Sequence, residues 1–281
     1  MTKKLRIKPA ATADAVITYT VLIAVSFLFL FPCLWLVLAS FSGSGSIYSF
    51  SGFFPGSFSL SSFGALFTDT AMYNYPKWFM NTLFIAVMSC IIGSVLVLLT
   101  AYVMSRFKFK GRKALMRGTL VLGMYPSFMG MIAVYLLMTQ FGMVNTHWGL
   151  ILIYSAGAPM GYMVQKGFFD TIPYAVDEAA RIDGASSLTV FLRINLPLSL
   201  PIIVYTSLSA FTWPWSDFIL PKLLLKQKDL YTVAVGLMSL GETEFARFAA
   251  GSVFIGVPIV ILYFCLSKFL VSGLTAGAVK G

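Results

Sequence analysis

The chain has 281 residues, 58% of them hydrophobic and only 11% charged, with a mean hydropathy of +0.86. An ordinary soluble domain carries about 25% charged residues, so a chain this apolar cannot cover itself with polar surface and lipid must solvate much of it. The net charge of +10 would invite a nucleic-acid reading in a soluble protein; here the basic residues sit in short stretches between apolar runs, where they orient the chain in a bilayer.

Six apolar stretches, roughly 15–39, 81–104, 116–138, 148–168, 198–220 and 248–271, reach the length of about 20 residues that a membrane-crossing helix needs. None holds a lysine, arginine or acid near its centre, where one charge would cost about 2.5–3.5 kcal/mol. The expected fold is all-α: one multi-pass transmembrane bundle over 1–281, with six spans. The first stretch is too long for a signal-peptide core and ends in bulky Leu36, Val37 and Leu38, so it reads as a retained helix.

Orientation follows from the basic residues. The N-terminus carries Lys3, Lys4, Arg6 and Lys8, and the stretch after the second span carries Arg106, Lys108, Lys110, Arg112, Lys113 and Arg117. Placing both inside also puts Lys166, Arg181, Arg193, Lys268 and Lys280 inside, 15 of the 20 basic residues. Both termini are therefore expected in the cytoplasm, with Lys77, Lys222, Lys226, Lys228 and Arg247 outside. Small residues at Gly157/Gly161 and Ser252/Gly256 have the spacing that lets helices pack closely. Kinks are expected at Pro32, Pro126, Pro159, Pro201 and Pro258.

Between the fourth and fifth spans lies a patterned segment, 166–197. Thr171 is suited to cap a helix start, and Pro173 to stand in its first turn. Residues 174–182 form a short helix with Ala175, Ala179 and Ile182 on one face, and with Asp177 and Arg181 spaced to pair. Asp183-Gly184 breaks that helix. Ser186 or Ser187 caps a second, with Leu188, Phe191, Leu192 and Leu196 on its apolar side, and Pro197 stops it. Small Ala179 and Ala180 beside Glu178 would let a partner surface approach a single carboxylate. The plain alternative is an amphipathic turn resting on the bilayer, but the acids Asp170, Asp177, Glu178 and Asp183 outnumber the segment's bases and disfavour an anionic leaflet.

Glu178-Ala179-Ala180, three residues, Gly184, nine residues, then Ile194-Asn195-Leu196-Pro197 resembles the EAA signature of binding-protein-dependent ABC importer permeases, matching at every defined position. The resemblance extends over almost the whole chain and is strongest to the second, six-span permease of maltose and maltodextrin importers. It rests also on Val144-Asn145-Thr146-His147, on Lys166 to Ile172, on Tyr231-Thr232-Val233-Ala234-Val235-Gly236, and on the tail Gly273 to Gly281. It implies that Glu178, Ala179, Ala180, Asp183 and Gly184 lie on a coupling helix docked in a cleft of a cytoplasmic ATPase. It implies that the tail, with Gly277 and Lys280, reaches between two ATPase subunits, and that the third outer loop enters the cleft of a sugar-binding protein. The implied assembly is a second permease subunit, two ATP-binding cassette ATPases that use ATP and Mg, and an extracellular or periplasmic binding protein, in the cytoplasmic membrane of a bacterium.

Sugars are held by hydrogen bonds and by stacking on aromatic faces. Trp213, Trp215, Ser216 and Asp217 near the outer end of the fifth span, and Tyr125 and Tyr135 on the third with Gln140 just beyond it, are candidates to line a substrate path. An acid beside a span is a functional candidate; the plain alternative is an interfacial aromatic belt with Asp217 wet. Cys33, Cys90 and Cys265 lie far apart and His147 is the single histidine, so no metal site or bound cofactor is expected. No HExxH, no GxxxxGK[ST] and no intramembrane acid pair occurs, against an intramembrane enzyme or a chain that hydrolyses ATP itself. No internal repeat and no midplane charge appears, against an ion-driven transporter. The cargo that the resemblance implies is a maltose- or maltodextrin-type oligosaccharide, with another oligosaccharide, a polyol or a glycerol phosphate as the alternative.

Overall fold

A computed structural model describes residues 9–43, 46, 54, 56–156 and 159–278. Among them every regular element is a helix, and the one extended pairing is an isolated bridge between Ser42 and Phe58. The described residues divide into two compact units, one of 1–68 with 240–253 and one of 69–239 with 254–281.

The first unit holds α1 (Pro9–Ser40), α2 (Ser61–Thr68) and the start of the long α14 (Phe245–Ala278). Its packing is concentrated at the C-terminal end of α1, where Trp35 meets Phe245 at 5.5 Å and Phe41 meets Phe63 at 5.1 Å between ring centroids. Ala246, Ala249 and Ala250 are fully buried. Residues 14–34 of α1 are almost wholly apolar and exposed all round, including Leu22, Phe27 and Phe29, as a helix solvated by lipid is.

The second unit is organised on α3 (Tyr75–Arg106), 32 residues that stand as its central post. Around it run α4 (Arg112–Gly123), α5 (Ser127–Gln140), α6 (His147–Ser155) and α7 (Pro159–Thr171). Next come α8 (Tyr174–Ile182), α9 (Ser187–Val190), a π-helical turn (Phe191–Asn195) and α10 (Leu196–Leu198). Then follow α11 (Leu200–Ser216), α12 (Ile219–Leu224) and α13 (Val233–Met238). Helices α6, α7 and α11 pack along α3, and α13 packs on its N-terminal part. Gly93 of α3 faces the Ser155 backbone of α6, where a Cβ would lie 3.5 Å from Cα.

Among the described residues, three helices are long and apolar enough to cross a bilayer: 14–40, 75–106 and 242–269. The third expected span is a bent pair instead, α4 with α5 at 106°, and the fifth is carried by α11, which meets the preceding α9–α10 segment at 81°. Of the fourth, α6 and α7 are described, and 157–158 between them lie outside the described residues. The two bends coincide with Pro126 and Pro201, whose rings lack the N–H a continuing helix needs; the kink expected at Pro159 adjoins residues outside the described ones. Pro32 and Pro258 do not break theirs: α1 and α14 run on through them. Gly161 and Gly256 have open space where a Cβ would go, and Gly157 lies outside the described residues.

Candidate functional site

The segment between α7 and α11 is ordered by its neighbours more than by its own caps. Thr171 ends α7, its hydroxyl donating back to the Phe168 carbonyl at 2.7 Å, and does not cap α8. Pro173 is the N-cap of α8 and not a first-turn residue. The helix closes as Asp183-Gly184 predicts. Gly184 takes φ +84°, its N–H reaches Arg181 O at 3.0 Å, and Ala185 N–H reaches Ala180 O at 2.9 Å, the paired bonds of a glycine-terminated helix. Ser186 then caps α9 by accepting from Thr189 N–H at 3.2 Å.

Pro197 does not stop the second helix. It stands in the first turn of α10, directly after the π-turn, in which Leu196 N–H donates to Phe191 O five residues back. The wider turn suits a proline two positions on, because a proline cannot donate to the carbonyl four residues behind it and its ring crowds that carbonyl. The chain bends only at Ser199, before α11.

Asp177 does not pair with Arg181. It is buried, and its Oδ2 meets Arg106 Nε at 2.9 Å, with side chains 4% and 1% exposed. Asn195 completes the cluster, donating to Asp177 Oδ1 at 2.9 Å and accepting from Arg106 Nη2 at 3.2 Å. Arg106 Nη2 also donates to the Ile172 carbonyl at 3.0 Å, and the guanidinium lies 4.6 Å from the Tyr174 ring centroid. The last turn of α3 is held further by Tyr174 Oη donating to Ser105 O at 2.7 Å and by Ser105 Oγ donating to Asp170 Oδ1 at 2.6 Å. Tyr102 lies between Phe169 and Phe191, in a buried cluster with Leu98, Ala101, Met104, Tyr162 and Ile172. Burial opposes ionisation of Asp170, but hydrogen bonds from Lys166 and Ser105 and the charges of Lys166 and Arg112 outweigh it, holding the carboxyl below its ordinary value.

This clamp fixes which side of α8 is free. Glu178, Ala179, Arg181, Ile182, Asp183 and Gly184 are exposed, Ile182 to 86%, whereas Ala180 and Asp177 face inward. Ala180 is thus packed within this chain, while the stripe of Ala175, Ala179 and Ile182 faces out, the reverse of a helix that buries its apolar side.

At the other end of α3 the two remaining patterned stretches come together. Asn145, at φ 62°, accepts from Lys226 N–H and Gln227 N–H at 2.9 and 3.1 Å, and its own N–H reaches Leu224 O. His147 Nε2 bonds the Leu230 carbonyl at 2.9 Å, a structural task for the single histidine. Trp78 Nε1 donates to Lys228 O, Asn81 donates to Asp229 O and Tyr231 O, and Thr82 accepts from Val233 N–H. Gly236 lies against Trp78, where a Cβ would fall 2.0 Å from the ring.

The proposed sugar-path residues divide. Trp213 and Tyr125 are exposed, and Ser216 is exposed with its hydroxyl on Trp213 O. Trp215 is a core residue, edge-on to Phe79 at 5.0 Å. Asp217 ends α11, accepts from Tyr154 Oη at 2.9 Å and from Leu220 N–H at 3.3 Å, and so joins α6, α11 and α12. No hydrogen bond or ring contact among the described residues joins Tyr125 to that group. Gly277 lies in the last turn of α14, and Lys280 lies outside the described residues. Among the described residues no cluster of His, Cys, Asp or Glu could hold a metal ion. Sequence reasoning missed Arg106 and Asn195: the first reads as one more orienting cation and the second as a spacer inside a motif.

A helical membrane protein with a clamped, outward-facing short helix between its fourth and fifth apolar stretches is the architecture of a transport permease. Residues 93–275 match the family described as the binding-protein-dependent transport system inner membrane component, and the chain belongs to that family; it is a transporter component and not an enzyme. It is 38% identical over 269 residues to the galactooligosaccharides transport system permease protein of Bacillus subtilis (strain 168), covering 94% of this chain and 95% of that one. It is 38% identical over 277 residues to the maltodextrin transport system permease protein of the same organism, covering 97% and 98%. With the maltodextrin transport system permease protein of Streptococcus pneumoniae it shares 34% identity over the full length of both. Among solved structures, a chain of a bacterial ABC transporter involved in the import of the acidic polysaccharide alginate has the same fold, with a TM-score of 0.76 at 18% identity over 93% of this chain and 98% of that one.

Proposed function

We propose that this chain is one of two permease subunits of an ATP-driven oligosaccharide importer, and that it forms half of the path for maltodextrin-type sugars. Its partners are a second permease, two ATPase subunits that bind ATP and Mg, and a sugar-binding protein outside the bacterial cytoplasmic membrane. The whole chain acts as one six-span transmembrane domain with both termini in the cytoplasm, so α8 and the basic stretch 106–117 face the ATPases. The observation that carries the coupling role is the division of α8, with Glu178, Ala179, Ile182, Asp183 and Gly184 exposed and Asp177 sealed against α3. An 86%-exposed isoleucine at a helix end is costly in water and favourable in an apolar cleft. The maltodextrin cargo is supported by the names of relatives similar over nearly the full chain.

A galactooligosaccharide cargo is the second reading, because a relative of equal identity carries that name. Uptake of radiolabelled maltotriose by the complete reconstituted complex with ATP, beside a galactooligosaccharide, separates the two. ATP-dependent maltotriose uptake that Glu178→Lys abolishes supports both cargo and coupling. Uptake of the galactooligosaccharide alone discards the cargo and keeps the permease. Trp213, Tyr125 and Ser216 remain open to contact with sugar or partner on this reading, and Gly277 and Lys280 to contact with the ATPases.

A further inference from the structure

The coupling reading explains the outer side of α8 but not why its inner side is built on a buried ion pair. Taking two charges out of water costs several kcal/mol per ion, and an apolar pair of similar volume often stabilises a fold as well or better. Plain stability therefore does not call for Arg106 and Asp177. Their geometry accounts for them differently. The three partners sit on three separate elements: Arg106 on the last turn of α3, Asp177 on α8 and Asn195 on the π-turn leading to α11. Each is held from more than one direction: Asp177 Oδ2 forms the ion pair with Arg106 Nε and its Oδ1 accepts a hydrogen bond from Asn195, while Arg106 Nη2 donates hydrogen bonds to Asn195 Oδ1 and the Ile172 carbonyl. Apolar packing resists separation but allows sliding, whereas directional charge-assisted hydrogen bonds fix angle and register as well.

We infer that Arg106, Asp177 and Asn195 form a buried strut that locks α8 to the central helix α3, so that displacement of α8 by a partner moves α3 with it as one body. Arg106 and Asp177 are then positioning residues for transport, acting without touching sugar or nucleotide. This rests on the coupling reading of α8 and adds to it the internal residues that receive the load.

The test uses the complete reconstituted complex with its ATPases, binding protein and sugar. Asp177→Asn and Arg106→Gln are compared with wild type for association of the ATPases and for sugar transported per ATP hydrolysed. The strut predicts that the ATPases still associate, since the outer face of α8 is unchanged, while sugar transported per ATP falls about tenfold, within the usual range of coupling between sites. Glu178→Lys, by contrast, lowers ATPase association and uptake together. An unchanged transport ratio in either pair variant overturns the strut and leaves the permease reading intact. A wild-type complex without ATP-driven uptake and without ATPase association removes the coupling reading and the strut with it.

Because one unpaired buried charge destabilises a fold, a second measurement leaves the pair untouched. Spin labels at Val103 of α3 and Val176 of α8, both exposed, are placed in a chain whose Cys33, Cys90 and Cys265 are replaced. The same distance distribution in the nucleotide-free and ATP-bound complexes supports movement as one body. A shift of several ångströms between the states overturns it.

Discussion

Two glycines in this chain are required for different reasons, and substitution separates them. Gly184 has open space around it, so its constraint is the backbone alone: φ +84° is a left-handed conformation that costs an L-residue about 1–2 kcal/mol. Gly184→Val should leave the complex assembled but reduce sugar uptake relative to ATP hydrolysis, because the end of α8 is re-aimed. Normal uptake by the assembled variant would count against the coupling role. Gly236 is limited by space, with Trp78 occupying the position of a Cβ. Gly236→Ala should lower stability by about 1–3 kcal/mol, the usual cost of overpacking, read as a fall in the thermal midpoint of the subunit in detergent. Gly118→Ala, with open space at its Cβ, should cause no fall. Asp170 supplies the pH test. Its carboxyl is held below its ordinary value, so its contribution to stability is complete above the unfolded carboxylate pKa of about 3.9 and is lost as pH falls through the lowered folded value. Asp170→Asn should flatten the acid limb of the stability profile and leave its slope at neutral pH unchanged.

Elements in this protein owe their positions to side chains that bond backbone across long sequence distances. The segment 224–231 has little regular structure of its own, yet Asn145, His147, Trp78 and Asn81 hold its carbonyls and N–H groups. Asn145→Gly keeps the positive φ and removes two accepted hydrogen bonds, so it should free this stretch and speed tryptic cleavage at Lys226 and Lys228. An unchanged cleavage rate would show that the other anchors suffice. The turn at Gly184 and the cap at Ser186 were legible, because each depends on residues a few positions away. Reading Asp177 as a partner of Arg181 failed for the opposite reason: the i,i+4 geometry was available, but a buried guanidinium 71 positions earlier in the chain offers an ion pair without competing water. Pro197 was misread as a stop because a π-turn, which no local propensity announces, gives its ring room.

At the scale of the molecule, exposed apolar surface is the rule along residues 14–34 of α1 and along much of α5, and it recurs at Val257, Val260, Ile261 and Phe264 of α14, as expected where lipid or a partner helix is the solvent. Phe27→Arg, at the middle of the exposed stretch of α1, should therefore impair insertion by about 2.5–3.5 kcal/mol, read as loss of the alkali-resistant membrane fraction. Composition and the runs of apolar residues determined by themselves that this is a helical membrane protein, since every uncovered backbone group in lipid must be satisfied within its own helix. The EAA-type spacing likewise marked the segment 178–197, because short caps and turns are written locally. Only the tertiary structure decided which spans are continuous, which face of α8 is free, and that Arg106, Asp177 and Asn195 share one buried cluster. Those outcomes depend on which of several available partners a charged or polar side chain meets once α3 is surrounded, and that choice is made by burial and not by sequence distance.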